Sequence, residues 1–147
     1  MPERTAQAHW EGSVKEGSGR ITVESGAVAA DYSFGARFEN EAGTNPEELL
    51  GAAHAGCFTM ALALGLTEAG HPPAHIDTSA HVAIEKGSSG FHIPHIELRV
   101  AADVPGLDAA AFGNLAKAAK ENCPVSKALA GTDITLDATL LTDKRRP

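Results

Sequence analysis

The spacing of hydrophobic and polar positions changes several times along the chain, and each change predicts a different element. The longest apolar stretch covers residues 44–66. Thr44 followed by Glu47 is typical of a capping box. One residue later, Asn45 followed by Pro46 is an N-cap with proline at the first helical position. The stretch therefore predicts a long central helix. A helix that is apolar on nearly every side must be buried by its own chain or by a second one.

Short alternating segments separated by glycine turns precede this helix. They predict an antiparallel meander of three strands at residues 8–14, 20–23 and 28–30. Residues 35–43 then predict a polar loop that leads into the central helix and contains Arg37.

The segments after the central helix show strand and helix patterns in turn. They are two hairpin strands at 76–85 and 91–103, a helix at 108–121, a short helix at 124–131 and a last strand at 133–141. Pro94 indicates that the second hairpin strand begins at a sheet edge. The charged tail, residues 142–147, is expected to fray. Hairpins without crossovers predict an α+β fold with antiparallel sheets.

Composition limits the possible partners. The chain has 147 residues, of which 43% are hydrophobic and 21% charged, and this is typical of one globular domain over residues 1–147. A net charge of −7 argues against nucleic acid or an anionic membrane as the main partner. The first residues show no secretory signal pattern, and the apolar run at 52–66 is short for a membrane span. We therefore expect a cytoplasmic protein, in which a cysteine pair is more often catalytic or metal-binding than structural.

The two cysteines are the candidate reactive groups. Cys57 lies in mid-helix, where a free cysteine usually packs as a small hydrophobic residue. Cys123 precedes Pro124 at a predicted helix start, where free backbone N–H groups favour the thiolate. Helix-start physics alone thus makes Cys123 the more reactive thiol. Their spacing excludes a CxxC motif and a local zinc site, but two thiols in contact suit oxidation to a sulfenic acid and then a disulfide.

Such chemistry needs a cation beside the thiolate. Arg37 is the leading candidate and Arg20 the second, although Arg20 is more typical of a solvated surface charge. Glu47 is suited to orient the arginine, and its position after Thr44 also gives it a sufficient role as a capping carboxylate. A straight helix places Glu47 about 15 Å from Cys57, so it acts only through a bridging arginine or a bend.

Two other functions fit the same residues. His54 lies three residues before Cys57 on the same helix face, which suits a Cys–His nucleophile for acyl transfer. A histidine in a helix is more often hydrogen-bonded packing, however. The third interpretation is a non-enzymatic, dimeric binding or redox-sensing domain. The remaining histidines show no metal spacing, and no phosphate loop or dinucleotide fingerprint is present, so we expect no cofactor.

The segment GTNPEELLGAAHAGCFTMALAL (43–64) closely resembles the active-site helix of the osmotically inducible protein C family, which is grouped with the organic hydroperoxide resistance proteins. The likeness covers nearly the whole chain and continues in HWEGSVKEGSGRITVESG (9–26), ARFENEAG (36–43), VPGLDAAAF (104–112), NCPVSKAL (122–129) and ITLDATL (134–140). Because Arg37 lies in the loop before the central helix, and not in the early glycine turn, the chain is similar to the osmotically inducible branch.

This resemblance implies an intertwined homodimer, with antiparallel sheets wrapped around long central helices and two active sites at the interface. It implies thiol-dependent reduction of hydroperoxides, organic ones preferred over hydrogen peroxide, without metal or haem. It also implies recycling by a dithiol reductant of the lipoyl type. Cys57 would be the peroxidatic cysteine and Cys123 the resolving one. Arg37 would support the thiolate and Glu47 would orient Arg37. The family thus reverses the preference for Cys123 that helix-start physics gives.

Overall fold

The computed structural model describes residues 1–142, so the predicted tail lies, apart from Thr142, outside the described residues. The chain divides into two compact units, Met1–Leu49 and Leu50–Pro147. Within residues 1–142 there are eight strands and four helices.

The first unit contains the predicted antiparallel meander. Its strands pair in the order β1-β2-β3 and cover Ala6–Glu11, Ser18–Val23 and Ala29–Tyr32. The bounds differ from the expected ones by up to three residues. The rings of Trp10 and Tyr32 meet edge to face at 5.3 Å. Gly19 pairs with both residues, and a Cβ atom there would lie 2.5 Å from the Tyr32 ring, so this position requires glycine.

The prediction of a polar loop over residues 35–43 is wrong, because this segment contains a short helix, α1, at Phe34–Phe38. The hydroxyl of Ser33 caps it by accepting a hydrogen bond from the backbone N–H of Ala36 at 3.1 Å. A helix of five residues is too short to show an apolar period, so only its cap was visible in the sequence. Arg37 consequently lies in the last turn of a helix.

The central helix, α2, covers Pro46–Glu68. The side chain of Asn45 accepts a hydrogen bond from the backbone N–H of Glu48 at 2.8 Å, so the Asn45–Pro46 helix start is confirmed. The expected capping box of Thr44 and Glu47 is wrong. The hydroxyl of Thr44 donates to the Glu48 carboxylate at 2.8 Å, while the Glu47 carboxylate binds a side chain outside the helix.

The second unit contains a mixed three-stranded sheet and two further helices. In chain order its elements after α2 are β4 (His75–Val82), β5 (Glu85–Gly87), β6 (Gly90–His92), β7 (His95–Asp103), α3 (Ala109–Asn122), α4 (Pro124–Ala128) and β8 (Asp133–Leu140). The hairpin prediction is confirmed, since β4 and β7 pair antiparallel, with the small β5–β6 ribbon between them. Pro94 separates β6 from β7.

The last strand corrects the predicted topology. β8 pairs parallel to β7, in the sheet order β4-β7-β8, so the expectation of purely antiparallel sheets joined by hairpins is wrong here. Two helices connect β7 to β8, and a helical connection of this length is what a parallel crossover requires. Alternation showed that β8 is a strand with one apolar face, but alternation carries no information about strand direction.

One side of α2 packs into the core of the second unit. Its fully buried apolar side chains are Phe58, Leu62 and Leu66. They contribute to one cluster with the predicted apolar faces of α3, β7 and β8, which include Phe112, Ala116, Leu98, Val100 and Leu140. The other side of α2 remains uncovered by this chain. Met60 is 77% exposed and Leu64 59%.

Among residues 1–142, α2 is the one helix whose length and composition would allow it to cross a membrane. It has 23 residues and reaches a mean hydropathy of 1.7. It is therefore longer than the apolar run at 52–66, which is short for a membrane span. One side of the helix packs in the core as predicted, while only 28% of its most apolar window is buried.

Candidate active site

The two cysteines meet within the second unit, although they are far apart in the sequence. Cys57 lies half-buried on α2, and Cys123 lies fully buried between α3 and α4. The backbone N–H of Cys123 donates to Ala119 at 2.9 Å, and its carbonyl accepts from Lys127 at 3.1 Å, so both helices fix its position. Both thiols are free, they pack in the same apolar cluster, and each shifts the pKa of the other. The sequence left this contact open, and the structure provides it.

The surroundings shift the two thiols in opposite directions. Burial raises the pKa of Cys57, and the hydrogen bond to Cys123 and the repulsion from its charge raise it further, whereas the backbone of Val125 lowers it. Burial also pushes the pKa of Cys123 upward. Hydrogen bonds from Cys57, from the backbone and hydroxyl of Ser126 and from Val125 outweigh that effect and leave this pKa below its ordinary value. A single negative charge shared by the pair therefore resides mainly on Cys123, the direction that helix-start physics predicted.

The first unit contains the other predicted pair, Arg37 and Glu47. The Nε and Nη2 atoms of Arg37 lie 2.9 and 2.8 Å from Oε1 of Glu47. Glu47 is only 6% exposed, and a carboxylate so deeply buried needs such a partner. The Arg37 guanidinium also lies over the Phe38 ring, 5.3 Å from its centre. The structure thus shows the contact between Glu47 and Arg37 that the predicted orienting role requires. Glu47 does not also serve as the capping-box residue.

The second arginine candidate is a surface residue. Arg20 forms an ion pair with Asp31 at 2.8 Å, and both side chains are more than half exposed. Its interpretation as a solvated charge is confirmed. Within residues 1–142, no group of three or more His, Cys, Asp or Glu side chains is placed to hold a metal ion.

His54 is fully buried, and its hydrogen bond goes to a residue that the sequence analysis did not single out. Its Nε2 lies 2.8 Å from Oγ of Ser126. This contact supports the interpretation of hydrogen-bonded packing over that of a Cys–His nucleophile. Ser126 follows Cys123 by three residues, so both lie on one face of the turn that begins α4. That spacing was the signal available in the sequence.

An apolar groove of about 660 Å³ runs beside Cys57, between α2 and α3. The apolar side chains that line it include Met60, Leu64, Leu115 and Pro124. Glu68 is the charged residue at its wall. The groove offers room for a hydrocarbon group next to the half-buried thiol, whereas Cys123 is inaccessible from outside.

Comparisons with known proteins define the family. The family model described as "OsmC-like protein" matches residues 38–137. "Peroxiredoxin OsmC" of Escherichia coli (strain K12) is 51% identical over 138 residues, which cover 93% of this chain and 96% of that protein. The "Organic hydroperoxide resistance protein" of Xanthomonas axonopodis pv. citri (strain 306) is 38% identical over 96 residues, 64% of this chain and 66% of that protein.

A solved structure shows the same fold. The organic hydroperoxide resistance protein OhrB of Bacillus subtilis superimposes with a TM-score of 0.67 at 29% identity, covering 92% of this chain and 97% of that one. The fold is thus that of a class of proteins with OsmC-like and organic hydroperoxide resistance members. The chain belongs to the OsmC-like protein family, as the resemblance in its sequence predicted.

The hydrogen bond between the thiols predicts reciprocal pKa changes. In Cys57→Ala, Cys123 loses a donor, so its pKa rises and less thiolate is present at a given pH. In Cys123→Ala, Cys57 loses an acceptor and a neighbouring charge, so its pKa falls and more thiolate is present. Thiolate absorbance at 240 nm against pH measures both, with the variant that lacks both cysteines as baseline. Shifts of both thiols in the same direction would contradict the assignment of donor and acceptor.

Proposed function

We propose that the protein is a thiol-dependent peroxidase that reduces organic hydroperoxides, and hydrogen peroxide less well, in oxidative and osmotic stress defence. The observation that carries this proposal is the contact between two free thiols beside an apolar groove. The relatives named peroxiredoxin and organic hydroperoxide resistance protein support it. The apolar groove favours substrates whose peroxide carries a hydrocarbon group.

Cys57 is the proposed peroxidatic cysteine. Its thiolate attacks the distal peroxide oxygen, so that an S–O bond forms, the O–O bond breaks and the alcohol leaves. Accessibility supports this choice, because Cys57 is half-buried at the groove while Cys123 is fully buried. The charge that resides mainly on Cys123 does not oppose it. Transfer of the Cys57 proton along the hydrogen bond to Cys123 produces the attacking thiolate, and the pair titrates as a unit.

Cys123 is the proposed resolving cysteine. It attacks the sulfur of the Cys57 sulfenic acid, and a Cys57–Cys123 disulfide and water result. A dithiol reductant of the lipoyl type then restores both thiols by exchange. Cys57 packs against the cluster that contains Cys123, which supports a disulfide that forms without a large rearrangement.

Arg37 is the proposed cation of the site, and Glu47 the residue that orients it. Within the second unit, burial and Cys123 both raise the pKa of Cys57, so its thiolate needs a positive charge from elsewhere. The buried Glu47 carboxylate holds two of the three guanidinium nitrogens. The other N–H groups of the Arg37 guanidinium can donate hydrogen bonds to a thiolate or to a peroxide oxygen.

The proposed functional state is an intertwined homodimer. Only 28% of the most apolar 18-residue window of α2 is buried within one copy of the chain. Its exposed side consists of large and small apolar positions, namely Ala52, Ala53, Gly56, Met60 and Leu64. A second copy that covers this side would bury the exposed face of the helix and add a further wall to the groove beside Cys57.

Mass spectrometry after one equivalent of cumene hydroperoxide tests the peroxidase. The reduced protein is expected to lose two hydrogens, as an intramolecular Cys57–Cys123 disulfide forms. Cys123→Ser should stop at the sulfenic acid, trapped by dimedone, and Cys57→Ser should form neither product. Both variants lose turnover. A Cys–His acyl-transfer enzyme would be indifferent to Cys123→Ser, and a protein that leaves the hydroperoxide unconsumed would refute the proposal.

Removing the proposed cation should slow the first oxidation step. Arg37→Leu is expected to lower the rate constant for hydroperoxide consumption roughly a hundredfold, the usual effect of losing one aligned donor to a developing charge. Glu47→Gln, which weakens the hold on Arg37, should lower it less. Arg20→Leu removes an arginine of the first unit that is paired at the surface, and it serves as the control. Stopped-flow measurement of hydroperoxide consumption gives the rate constant for all three variants. A similar loss of rate in Arg20→Leu would count against a specific role for Arg37.

A charge on the exposed side of α2 should break the dimer. Leu64→Asp would place a carboxylate in an apolar interface, so the protein is expected to sediment as a monomer of 15.2 kDa instead of a dimer. Ser89→Asp puts the same charge at an exposed position in the turn between β5 and β6, away from α2, and should leave the dimer intact. Analytical ultracentrifugation distinguishes the two forms. A monomeric wild-type protein would refute the proposed assembly.

A further inference from the structure

His54 occupies a position where the fold calls for a hydrophobic side chain. It belongs to the buried side of α2 together with Phe58, Leu62 and Leu66, and it is fully buried. Its Nε2 binds Ser126, while its Nδ1 is buried without a hydrogen-bond partner among residues 1–142. A leucine here would leave no polar atom unpaired, so the histidine costs stability. This cost points to a purpose other than packing.

Ser126 connects the histidine to the thiols. The backbone and the hydroxyl of Ser126 both lower the pKa of Cys123, and the Ser126 side chain is buried three residues after Cys123, in the first turn of α4. Cys123 and Cys57 in turn shift each other's pKa. A polar path therefore leads from His54 on α2 through Ser126 to Cys123 and to Cys57.

The protonation of His54 decides the partner to which the Ser126 hydroxyl donates, because a serine hydroxyl has only one proton. If Ser126 donates to the sulfur of Cys123, its oxygen accepts from Nε2–H, and Nδ1 is the unprotonated nitrogen. If Ser126 donates to Nε2 instead, the sulfur loses a donor and a buried N–H at Nδ1 has no acceptor. The first arrangement is favoured, since it adds a charge-assisted hydrogen bond and leaves only a lone pair unpaired. Burial lowers the pKa of His54, which keeps the ring neutral with a single N–H.

We propose that His54 is a positioning residue for the resolving step: it holds the Ser126 hydroxyl so that the hydroxyl proton points at the sulfur of Cys123. The inference rests on the proposed peroxidase function. In this step the Cys123 thiolate attacks the sulfenic sulfur of Cys57, the S–S bond forms and the S–O bond breaks. Hydroxide leaves with the bonding electrons and takes a proton from solvent. Cys123 is oxidised and the sulfenic sulfur reduced, so no further oxidant is needed.

Competition between resolution and over-oxidation isolates this step. A Cys57 sulfenic acid that is not resolved reacts with a second hydroperoxide molecule and becomes a sulfinic acid. The reduced, full-length protein is mixed with increasing cumene hydroperoxide in the absence of reductant. Mass spectrometry then distinguishes the disulfide, which has lost two hydrogens, from the sulfinic acid, which has gained two oxygens. The hydroperoxide concentration at which disulfide and sulfinic acid form in equal amounts measures the rate of resolution relative to the rate of over-oxidation. It does not depend on the rate of the first oxidation.

Loss of this polar path should favour over-oxidation. In His54→Leu and in Ser126→Ala, the concentration for equal products is expected to fall about tenfold, the order of effect of one hydrogen bond to a charged acceptor. His54→Gln should restore it, because an amide N–H can replace Nε2–H. Adding His54→Leu to Ser126→Ala should have no further effect, since both act on one bond.

Thr59→Val is the matched control. It removes another partly buried hydrogen bond of α2, the 2.7 Å contact with the Thr78 hydroxyl, and should leave the concentration unchanged. A shift of equal size in Thr59→Val would overturn the inference, because it would reveal a general loss of packing. Wild-type behaviour of Ser126→Ala and His54→Leu would overturn it too, as would a His54→Gln variant that resembles His54→Leu. If His54→Leu does not fold, Ser126→Ala and His54→Gln decide.

The same experiment separates the two proposals. A wild-type protein that forms neither disulfide nor sulfinic acid refutes the peroxidase function and the role of His54 with it. A wild-type protein that forms the disulfide, beside variants that resolve equally well, refutes only the role of His54.

Discussion

The packing of Cys57 against Cys123 is the constraint on which the proposed chemistry depends. It exists because α2 packs against the junction of α3 and α4, and Cys123 belongs to the same buried cluster as the apolar side of α2. Close packing leaves the sulfurs little freedom to separate. Stability and the proposed reactivity therefore depend on the same contacts, and the proposed redox centre is part of the hydrophobic core and not of a surface loop.

Cys57 is the more accessible of the two thiols, whereas Cys123 is the one whose pKa is lowered. The buried sulfur, Cys123, collects the hydrogen-bond donors, and the accessible sulfur, Cys57, collects almost none. This division suits a two-step oxidation. In the proposed mechanism the oxidant reaches Cys57, and the buried Cys123 attacks afterwards. An argument from pKa alone would assign the first step to Cys123, so the proposed order rests on access and not on acidity.

Sequence patterns predicted every element that is long enough to show a period, including α2, the β4–β7 hairpin, α3 and β8. They failed where the information is not periodic. α1 has five residues and only a cap, and the direction of β8 leaves no trace in its alternation. The cysteines, Arg37 and Glu47 were predictable as candidates because cysteine is rare and the family motif is specific. The contact between His54 and Ser126 was not predictable, because it joins residues on separate helices and no spacing rule covers it.

The polar residues of α2 explain how so uniform a helix takes one position. A helix that is apolar on nearly every side has no preferred face, and a rotation or a one-turn slip would cost it little buried apolar area. Each polar side chain changes that balance, because an unpaired buried polar group is expensive. Glu47 binds Arg37, His54 binds Ser126 and Thr59 binds Thr78. Within the second unit, a slip of α2 would break the His54–Ser126 pair, so this pair helps to fix the register of the helix against α4.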